Sequence, residues 1–307
     1  MSTTHPTQPP AVRAPLPPRD AIIRDVRDAL AEDIGSGDVT ADLLPIDAIA
    51  DATVITREAA VLCGQAWFDE CFLQVDPGTR VEWLAVDGDR VAAGALLCRL
   101  HGNARALVTA ERTALNFLQT LSGTATTTAA YVDAVRGTRT RILDTRKTLP
   151  GLRAAQKYAV RAGGAVNHRI GLFDAVLIKE NHIAAAGSIG AAIARARALH
   201  PDLLVETEVE DFRELREALA AGADRIMLDE FELHELVQAV AEAAGRVPIE
   251  VSGSVSLERV RAIAETGVDY VSIGALTKHV RAIDLSMRVT IGGRHEDART
   301  PPHSTPK

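Results

Sequence analysis

Five cationic or imidazole side chains stand at or near the ends of two short apolar runs, residues 141–145 and 175–178: Arg146, Lys147, His168, Arg169 and Lys179. A strand that ends in a charged residue commonly presents it at the carboxyl edge of a parallel sheet, where α/β proteins bind their ligands. We therefore expect these five side chains to converge. Together they predict a site for a ligand that carries several negative charges.

Later apolar runs end in acidic residues and then in small ones. Glu208 and Asp229 supply two carboxylates, which could hold Mg²⁺ through their oxygens while phosphates complete its shell. The small residues of the last two runs, whose backbone N–H groups can reach an oxyanion, are Ser252, Gly253, Ser254 and Gly274. Cations, a metal site and a phosphate loop together indicate a reaction between a polyanionic acid and a phosphorylated sugar.

Two other interpretations of these residues stay open. Glu208 and Asp229 could simply neutralise Lys179 without holding a metal. Lys179 could also be a Schiff-base lysine, as in the barrel aldolases. Its many anion-binding neighbours make that second interpretation the weaker one.

The overall composition predicts a soluble globular protein. Of the 307 residues, 47% are apolar and 24% are charged, and the net charge of −7 argues against nucleic acid as the main partner. The three cysteines have no CxxC spacing, which favours a reducing cytoplasm. No apolar run approaches the ~18 residues of a membrane span. We expect no membrane partner.

The chain divides into four parts by its pattern. We expect a disordered, proline-rich extension over residues 1–18 and a disordered tail over 292–307. Residues 19–112 alternate short apolar segments with turns, which is typical of an antiparallel sheet with helices against it. Residues 113–278 begin with two predicted helices, Ala110–Leu121 (which starts just before the boundary) and Thr124–Val135, and continue with strand and helix in turn.

The strand–helix alternation is regular enough to predict a fold. The run ends at Lys179, Glu208, Asp229, Ser252 and Gly274 are 29, 21, 23 and 22 residues apart, the length of a βα unit. Six or seven such units favour a closed or nearly closed α/β barrel. We expect residues 279–291, helical over 279–289, to pack back on the first part.

Several long stretches of this chain resemble the quinolinate phosphoribosyltransferase family, the nicotinate-nucleotide pyrophosphorylases of the type II phosphoribosyltransferases. They are ERTALNFLQTLSGTAT, ILDTRKTLPGLR, KYAVRAGGAVNHRIGLFDAVLIKENH, VETEVE, IMLDEF and VSGSVSLERVRAIAETGVDYVSIGALT. The resemblance runs from about Asp20 to Val289. It implies an N-terminal α/β sandwich followed by an incomplete α/β barrel of about six or seven strands.

The resemblance also implies an activity and an assembly. Quinolinate and phosphoribosyl pyrophosphate would give nicotinate mononucleotide, CO₂ and pyrophosphate, with Mg²⁺ as the only cofactor, in de novo NAD biosynthesis. The family's dimers close each barrel mouth with the partner's N-terminal part. Arg112 matches the family arginine that reaches into the neighbouring subunit's site.

The resemblance assigns roles position by position. The matches to the acid-binding residues are Arg146, His168 and Arg169. The matches to the catalytic residues are Lys147 and Lys179, between acid and sugar phosphate, and Glu208 and Asp229, near the ribose and metal. The matches to the phosphate loops are Ser252, Gly253 and Gly274. Ser254 stands where family members often have a second glycine, and Lys278 and His279 both remain candidates for a phosphate contact.

Two alternative functions stay open beside this one. The chain could be a nicotinate phosphoribosyltransferase or another relative that does not decarboxylate its substrate. It could also be a non-catalytic anion-binding protein. Two cationic pairs, Arg146–Lys147 and His168–Arg169, suit the two carboxylates of quinolinate, and the complete set from Arg112 to Gly274 favours an enzyme.

Overall fold

The computed structural model describes residues 14–292. The expected tail and most of the expected N-terminal extension lie outside these residues. Residues 14–18, which we placed in the extension, lie against the body of the protein: the carbonyl of Pro15 accepts a hydrogen bond from Arg161 at 2.5 Å. Among residues 14–292, no helix is both long and apolar enough to cross a membrane.

The first part is an antiparallel sheet with helices packed against it. Its elements are helix α1 (Arg19–Ile34), a 3₁₀ turn (Ala41–Leu43), strands β1 (Ile49–Thr56) and β2 (Ala60–Val61), helix α2 (Gln65–Val75), and strands β3 (Arg80–Trp83), β4 (Arg90–Val91) and β5 (Leu96–Asn103). Buried residues alternate along β1, as expected for a strand with one face on a core. The aromatic rings of Trp67, Phe68 and Phe72 fill that core.

The second part follows with helices on the outside of parallel strands. Its elements are α3 (Ala104–Ala134), β6 (Arg141–Leu143), α4 (Arg153–Ala162), β7 (Val176–Ile178), α5 (Glu180–Ala186), α6 (Ile189–Leu199), β8 (Val205–Val209), α7 (Phe212–Ala221), β9 (Arg225–Asp229), α8 (Leu233–Ala243), β10 (Ile249–Ser252), α9 (Val260–Glu265), β11 (Tyr270–Ser272) and α10 (Ala275–Lys278). Strand β12 (Leu285–Ile291) ends the described chain.

The parallel strands form one six-stranded sheet in the order β6-β11-β10-β9-β8-β7. In the described part, β6 and β7 do not pair with each other, and only a single bridge joins Leu143 to Val166 beside β6. The predicted α/β architecture, a parallel sheet of about six strands with a separate antiparallel sheet, is confirmed. The sheet leaves an opening between β6 and β7, where the loop that carries His168 lies.

The segment after α10 returns to the first part as a strand, and the expected helix over 279–289 is wrong. Strand β12 pairs antiparallel with β1 at the edge of the sheet order β12-β1-β5-β3. Val289, Thr290 and Ile291 are β-branched and prefer extended backbone. The edge of β1 supplies their hydrogen-bond partners.

The two helices expected over 110–135 are a single helix of 31 residues, α3. Gly123, which falls between the two expected helices, lies inside it. A Cβ atom at Gly123 would lie 2.1 Å from the carbonyl oxygen of Arg281. This glycine is therefore explained by the close approach of the 281–283 segment, and the helix continues through it. Helix α3 contacts both sheets and so fixes one part of the protein against the other.

Candidate active site

The carboxyl ends of the parallel strands surround a cavity of about 200 Å³, which we call the acid cavity. The predicted site residues that line it are Arg146, Lys147, His168, Arg169, Lys179, Glu208 and Ser252. Strands β6 and β7 end just before Arg146 and Lys179, so the strand geometry delivers these cations to one place. Leu177 and Met227 add apolar surface suited to a flat ring.

A second, more open cavity of about 710 Å³ adjoins the first, and we call it the phosphate cavity. The predicted site residues in its lining are Lys147, Lys179, Glu208, Asp229, Ser252, Gly253, Ser254, Gly274 and Lys278. His279 lines it as well, so both candidates for a phosphate contact are present. Four residues border both cavities: Lys147, Lys179, Glu208 and Ser252.

The guanidinium groups of Arg146 and Arg169 are available to a ligand. Among residues 14–292, neither group has a carboxylate partner, and the buried Nε of Arg146 donates no hydrogen bond. Arg169 donates only a long bond of 3.4 Å to the carbonyl of Ala175. Two guanidinium groups without a described ion-pair partner at one cavity are suited to carboxylates.

The loop that carries His168 and Arg169 is held from behind by a buried ion pair. The ammonium of Lys157, on α4, lies 2.5 Å from Oδ1 of Asp144 and donates to the carbonyl of His168 at 2.9 Å. Asp144 also accepts from the backbone N–H of His168 at 2.8 Å and from the Asn167 amide at 2.6 Å. Burial raises the pKa of Asp144 and lowers that of Lys157, and their mutual contact opposes both shifts.

The floor of the acid cavity consists of His168 and two buried carboxyl groups. Nε2 of His168 lies 2.8 Å from Oε2 of Glu206 and 3.7 Å from Oε1 of Glu250. Burial lowers the pKa of His168, which favours the neutral ring. Nδ1 accepts the backbone N–H of Arg169 at 2.7 Å, so the hydrogen of the neutral ring is on Nε2. Nε2 therefore carries its hydrogen beside Glu206, although its N–H makes no aligned hydrogen bond to any described residue.

Two groups of residues could in principle supply metal ligands. His168, Glu206 and Glu250 place potential ligand atoms within 4.8 Å of one another. However, a metal needs the lone pair of Nε2, and the hydrogen bond to Nδ1 puts a hydrogen there. Glu208 and Asp229 instead offer carboxylate oxygens on neighbouring strands at the open phosphate cavity. Such a donor set fits Mg²⁺, which keeps several waters and takes one or two carboxylates.

Glu208 already has one partner in its own chain. Its Oε2 accepts a hydrogen bond from the ammonium of Lys179, whose side chain is 42% exposed. The alternative in which Glu208 neutralises Lys179 thus describes a contact that exists here. Asp229 has no such contact with Lys179 among the described ion pairs, so its carboxylate stays available.

The loop after β10 approaches its neighbours closely through Gly253. This residue has φ of 120°, and a Cβ atom would lie 2.9 Å from the Glu230 carboxylate. Gly274, at the other phosphate-loop position, lies so near Lys147 that a Cβ would be 3.0 Å from its Cδ. Gly253 therefore leaves room for Glu230, and Gly274 leaves room for Lys147, beside the phosphate cavity.

Arg112 is the one predicted site residue that the structure does not bring to either cavity. It lies exposed on α3 and is absent from the described lining of both cavities. Thr109, one turn earlier, donates to Asp38 at 2.9 Å and thereby ties α3 to the loop over residues 35–48. Arg112 thus lies on the exposed surface of α3, on the side tied to the loop over residues 35–48.

Sequence reasoning missed the carboxyl groups at the floor of the acid cavity. Glu206 precedes Glu208 by two positions, and Glu250 precedes Ser252 by two. Alternate residues of a strand share a face, so both glutamates had to face the same side as the predicted site residues. A glutamate inside an otherwise apolar strand was the pattern that could have revealed them.

These features define a mixed α/β protein with a six-stranded parallel sheet and two adjoining cavities at the carboxyl ends of its strands. Family models agree with that class along most of the chain. Residues 38–122 match the N-terminal domain of quinolinate phosphoribosyl transferase, and residues 124–288 match its C-terminal domain. The chain belongs to the quinolinate phosphoribosyl transferase family.

Individual relatives cover nearly all of the chain. The "nicotinate-nucleotide pyrophosphorylase [carboxylating]" of Mycobacterium leprae is 44% identical over 278 residues, covering 87% of this chain and 97% of that protein. The Bacillus subtilis protein, named as a probable enzyme of the same kind, is 41% identical over 85% and 90%. A solved structure of the Francisella tularensis pyrophosphorylase is 50% identical with a TM-score of 0.88, covering 89% of this chain and 98% of that one.

Proposed function

We propose that this protein is a quinolinate phosphoribosyltransferase that converts quinolinate and phosphoribosyl pyrophosphate to nicotinate mononucleotide, CO₂ and pyrophosphate in de novo NAD biosynthesis. The observation that carries the proposal is the pair of adjoining cavities bordered by the same four residues, Lys147, Lys179, Glu208 and Ser252. An acid and a sugar phosphate bound there would meet at that border. The relatives' names describe this same reaction.

The acid cavity supplies the contacts that quinolinate needs. Arg146 and Arg169 offer planar guanidinium groups to its two carboxylates, and Leu177 and Met227 contact the ring. His168 completes the floor and positions the acid beside them. In this arrangement the ring nitrogen would point toward the phosphate cavity, and the bound ring would displace water from the acid cavity.

The border residues act on the charge that develops during transfer. Pyrophosphate leaves C1 of the ribose as the ring nitrogen bonds to it, and Lys147 and Lys179 stabilise the departing negative charge. Backbone N–H groups at Gly253 and Gly274 hold the phosphates, with Ser252, Ser254 and Lys278 beside them. Once joined to ribose, the cationic pyridinium ring accepts the electron pair left at C2 by the departing CO₂, and a proton then replaces the carboxylate.

Glu208 and Asp229 would hold the Mg²⁺ of this reaction. The metal supplies a Lewis acid near the pyrophosphate oxygens when it is bound. Glu208 keeps its contact with Lys179 through one oxygen, and both carboxylate residues line the phosphate cavity. The family resemblance also assigns these two carboxylates to the ribose hydroxyls.

We further propose a homodimer with shared active sites. Apolar side chains are exposed in the loop that is tied to the Arg112 helix: Val39 at 81%, Leu43 at 82% and Ile46 at 76%. Phe173, in the loop just after Arg169 at the barrel mouth, is 73% exposed. Apolar side chains of this kind suit the interface with a second copy. Docking them would bring Arg112 toward the partner's acid cavity.

The proposed compartment is the cytoplasm. All three cysteines, Cys63, Cys71 and Cys98, are free and buried, which suits a reducing environment. Plant relatives include enzymes named as mitochondrial and chloroplastic.

The function is tested by incubating the purified protein with quinolinate, phosphoribosyl pyrophosphate and Mg²⁺, and measuring nicotinate mononucleotide and CO₂ in equal amounts. Nicotinate in place of quinolinate should give no product. Lys147→Ala should abolish the reaction, and Arg195→Ala, an exposed arginine on α6, should leave it unchanged. Product from nicotinate, or none from either acid, would contradict the proposal.

A further inference from the structure

Two glutamates form the floor beneath the cations of the acid cavity. The side chain of Glu206, on β8, is 1% exposed, and that of Glu250, on β10, is 0% exposed. Glu250 lines the cavity with His168, although the cavity is otherwise suited to an anion. Two fully ionised carboxylates in this position would repel the acid that the arginines attract.

One oxygen of each carboxyl group in this pair lacks a hydrogen-bond donor among the described residues. Within residues 14–292, Oε1 of Glu206 and Oε1 of Glu250 each accept no hydrogen bond, and both are buried. A proton carried by one carboxyl group and donated to the other is the arrangement that satisfies facing oxygens of this kind. The remaining oxygen of Glu250 accepts from Arg225 at 3.2 Å, and that of Glu206 lies against Nε2 of His168.

We propose that Glu250 is a positioning residue of the acid subsite. In its protonated, neutral form the Glu250 side chain holds the Glu206 carboxylate, which in turn lies against His168. Ionisation of Glu250 weakens the binding of a dianionic ligand. The identity of that ligand rests on the proposed function. The role of Glu250 rests on the buried contacts of the floor. Glu250 acts through its neighbours and is assigned no step in the chemistry.

The polar and charged groups around Glu250 lie on three strands and one loop. They are Glu206 on β8, Arg225 on β9, Ser272 on β11 and His168 in the loop beside β6. Arg225 is itself held over the ring of Tyr270, with its guanidinium carbon 4.5 Å from the ring centre. One cation, one carboxylate and one neutral imidazole therefore face Glu250.

The direction of the pH effect follows from these surroundings. Burial first, and then the charge of Glu206, raise the pKa of Glu250 to about 8. Glu250 is therefore neutral below that pH and ionised above it. Because a dianionic acid binds better to the cavity with the neutral group, its binding should be strong near neutral pH and weaken above about pH 8. Binding at higher pH should also take up a proton.

The test measures binding of quinolinate alone by calorimetry at about pH 7 and about pH 9.5, on the two sides of the Glu250 titration. The dissociation constant of the unchanged protein should rise by roughly tenfold or more at the higher pH, as expected for one added like charge near the ligand. In the Glu250→Gln variant, whose amide imitates the protonated carboxyl group, the dissociation constant for quinolinate should change by less than about twofold between the two pH values. Glu265→Gln, an exposed control on α9, should behave like the unchanged protein.

The same titrations in two buffers of different ionisation enthalpy measure the proton directly. At about pH 9 the unchanged protein should take up a proton as quinolinate binds, and Glu250→Gln should take up none. Parallel pH profiles for the two proteins, or a flat profile for both, would overturn the proposal. Turnover at neutral pH is measured separately, so an inactive protein would refute the proposed function without deciding this point.

A second variant covers the case in which Glu250→Gln does not fold. Glu206→Gln removes the neighbouring negative charge but keeps Glu250, and so should lower the pKa of Glu250. The loss of quinolinate affinity should then begin at a lower pH than in the unchanged protein. An unshifted loss in Glu206→Gln would show that Glu250 is not the group responsible.

Discussion

Lys157 and Asp144 form an ion pair behind the acid cavity in which both side chains are almost completely inaccessible, at 2% and 0% exposure. Their atoms are 2.5 Å apart, and both residues also hydrogen bond to the backbone of His168. A buried pair of this kind contributes little net stability compared with apolar side chains, but losing one partner is costly. Here the pair fixes the loop that presents Arg169.

We expect Lys157→Met to lower the free energy of unfolding by about 3–5 kcal/mol, because it leaves the Asp144 charge buried without a partner. Urea denaturation measures this loss. The double variant Asp144→Asn with Lys157→Met should recover part of it, since no charge then remains. A loss below about 1 kcal/mol for the single variant would mean that water reaches Asp144.

The charged residues near the strand ends were predictable because the pattern that marks them lies within a few consecutive residues. An apolar run that stops at a charged residue gave the positions of Arg146, Lys179, Glu208 and Asp229 without knowledge of the sheet order. The order itself, with its opening between β6 and β7, depends on pairing between distant residues and has no local pattern.

The missed features depend on contacts between distant segments. Gly123 looks like a helix break until the backbone of Arg281 is known to lie against it. The strand over 285–291 forms because β1 offers a free edge, and the helical spacing of its residues does not prevent it. Lys157 looks like a surface residue of an amphipathic helix, and only the position of Asp144 explains its burial.

A variant of the acid cavity should separate the two substrates. We expect Arg169→Ala to weaken quinolinate binding by about ten- to a hundredfold, because it removes a charge-assisted contact worth roughly 1.5–3 kcal/mol. Binding of phosphoribosyl pyrophosphate should change little. Arg195→Ala on α6 is the matched control, and separate titrations of each ligand make the measurement. Equal losses for both ligands would remove Arg169 from the acid subsite.

The metal site is tested through Asp229, whose carboxylate has no described ion-pair partner. Asp229→Asn should reduce turnover across a Mg²⁺ titration and raise the Mg²⁺ concentration needed for half of the maximal rate. Quinolinate affinity without metal should stay the same, since Asp229 lines only the phosphate cavity. Asp202→Asn, in the exposed turn before β8, is the control. An unaltered Mg²⁺ titration for Asp229→Asn would make Asp229 a structural residue.

The last expectation concerns Arg112, which is exposed on α3 and lines neither cavity of its own chain among the described residues. The apolar residues Ala114, Leu115 and Leu118 fix this helix in the core, so the guanidinium points away from it. If it serves the partner's acid cavity, Arg112→Ala should abolish activity without changing the fold. A surface arginine that only covers its own helix would leave activity intact.

Mixing two inactive proteins distinguishes a shared site from a separate one. In a dimer of one Arg112→Ala subunit and one Lys147→Ala subunit, shared sites would place both changes in one active site and neither in the other. Up to half of the normal activity per mixed dimer should therefore return. Subunit exchange is checked independently with differently tagged chains. If exchange occurs and no activity returns, Arg112 does not act across the interface, and the shared-site proposal is wrong.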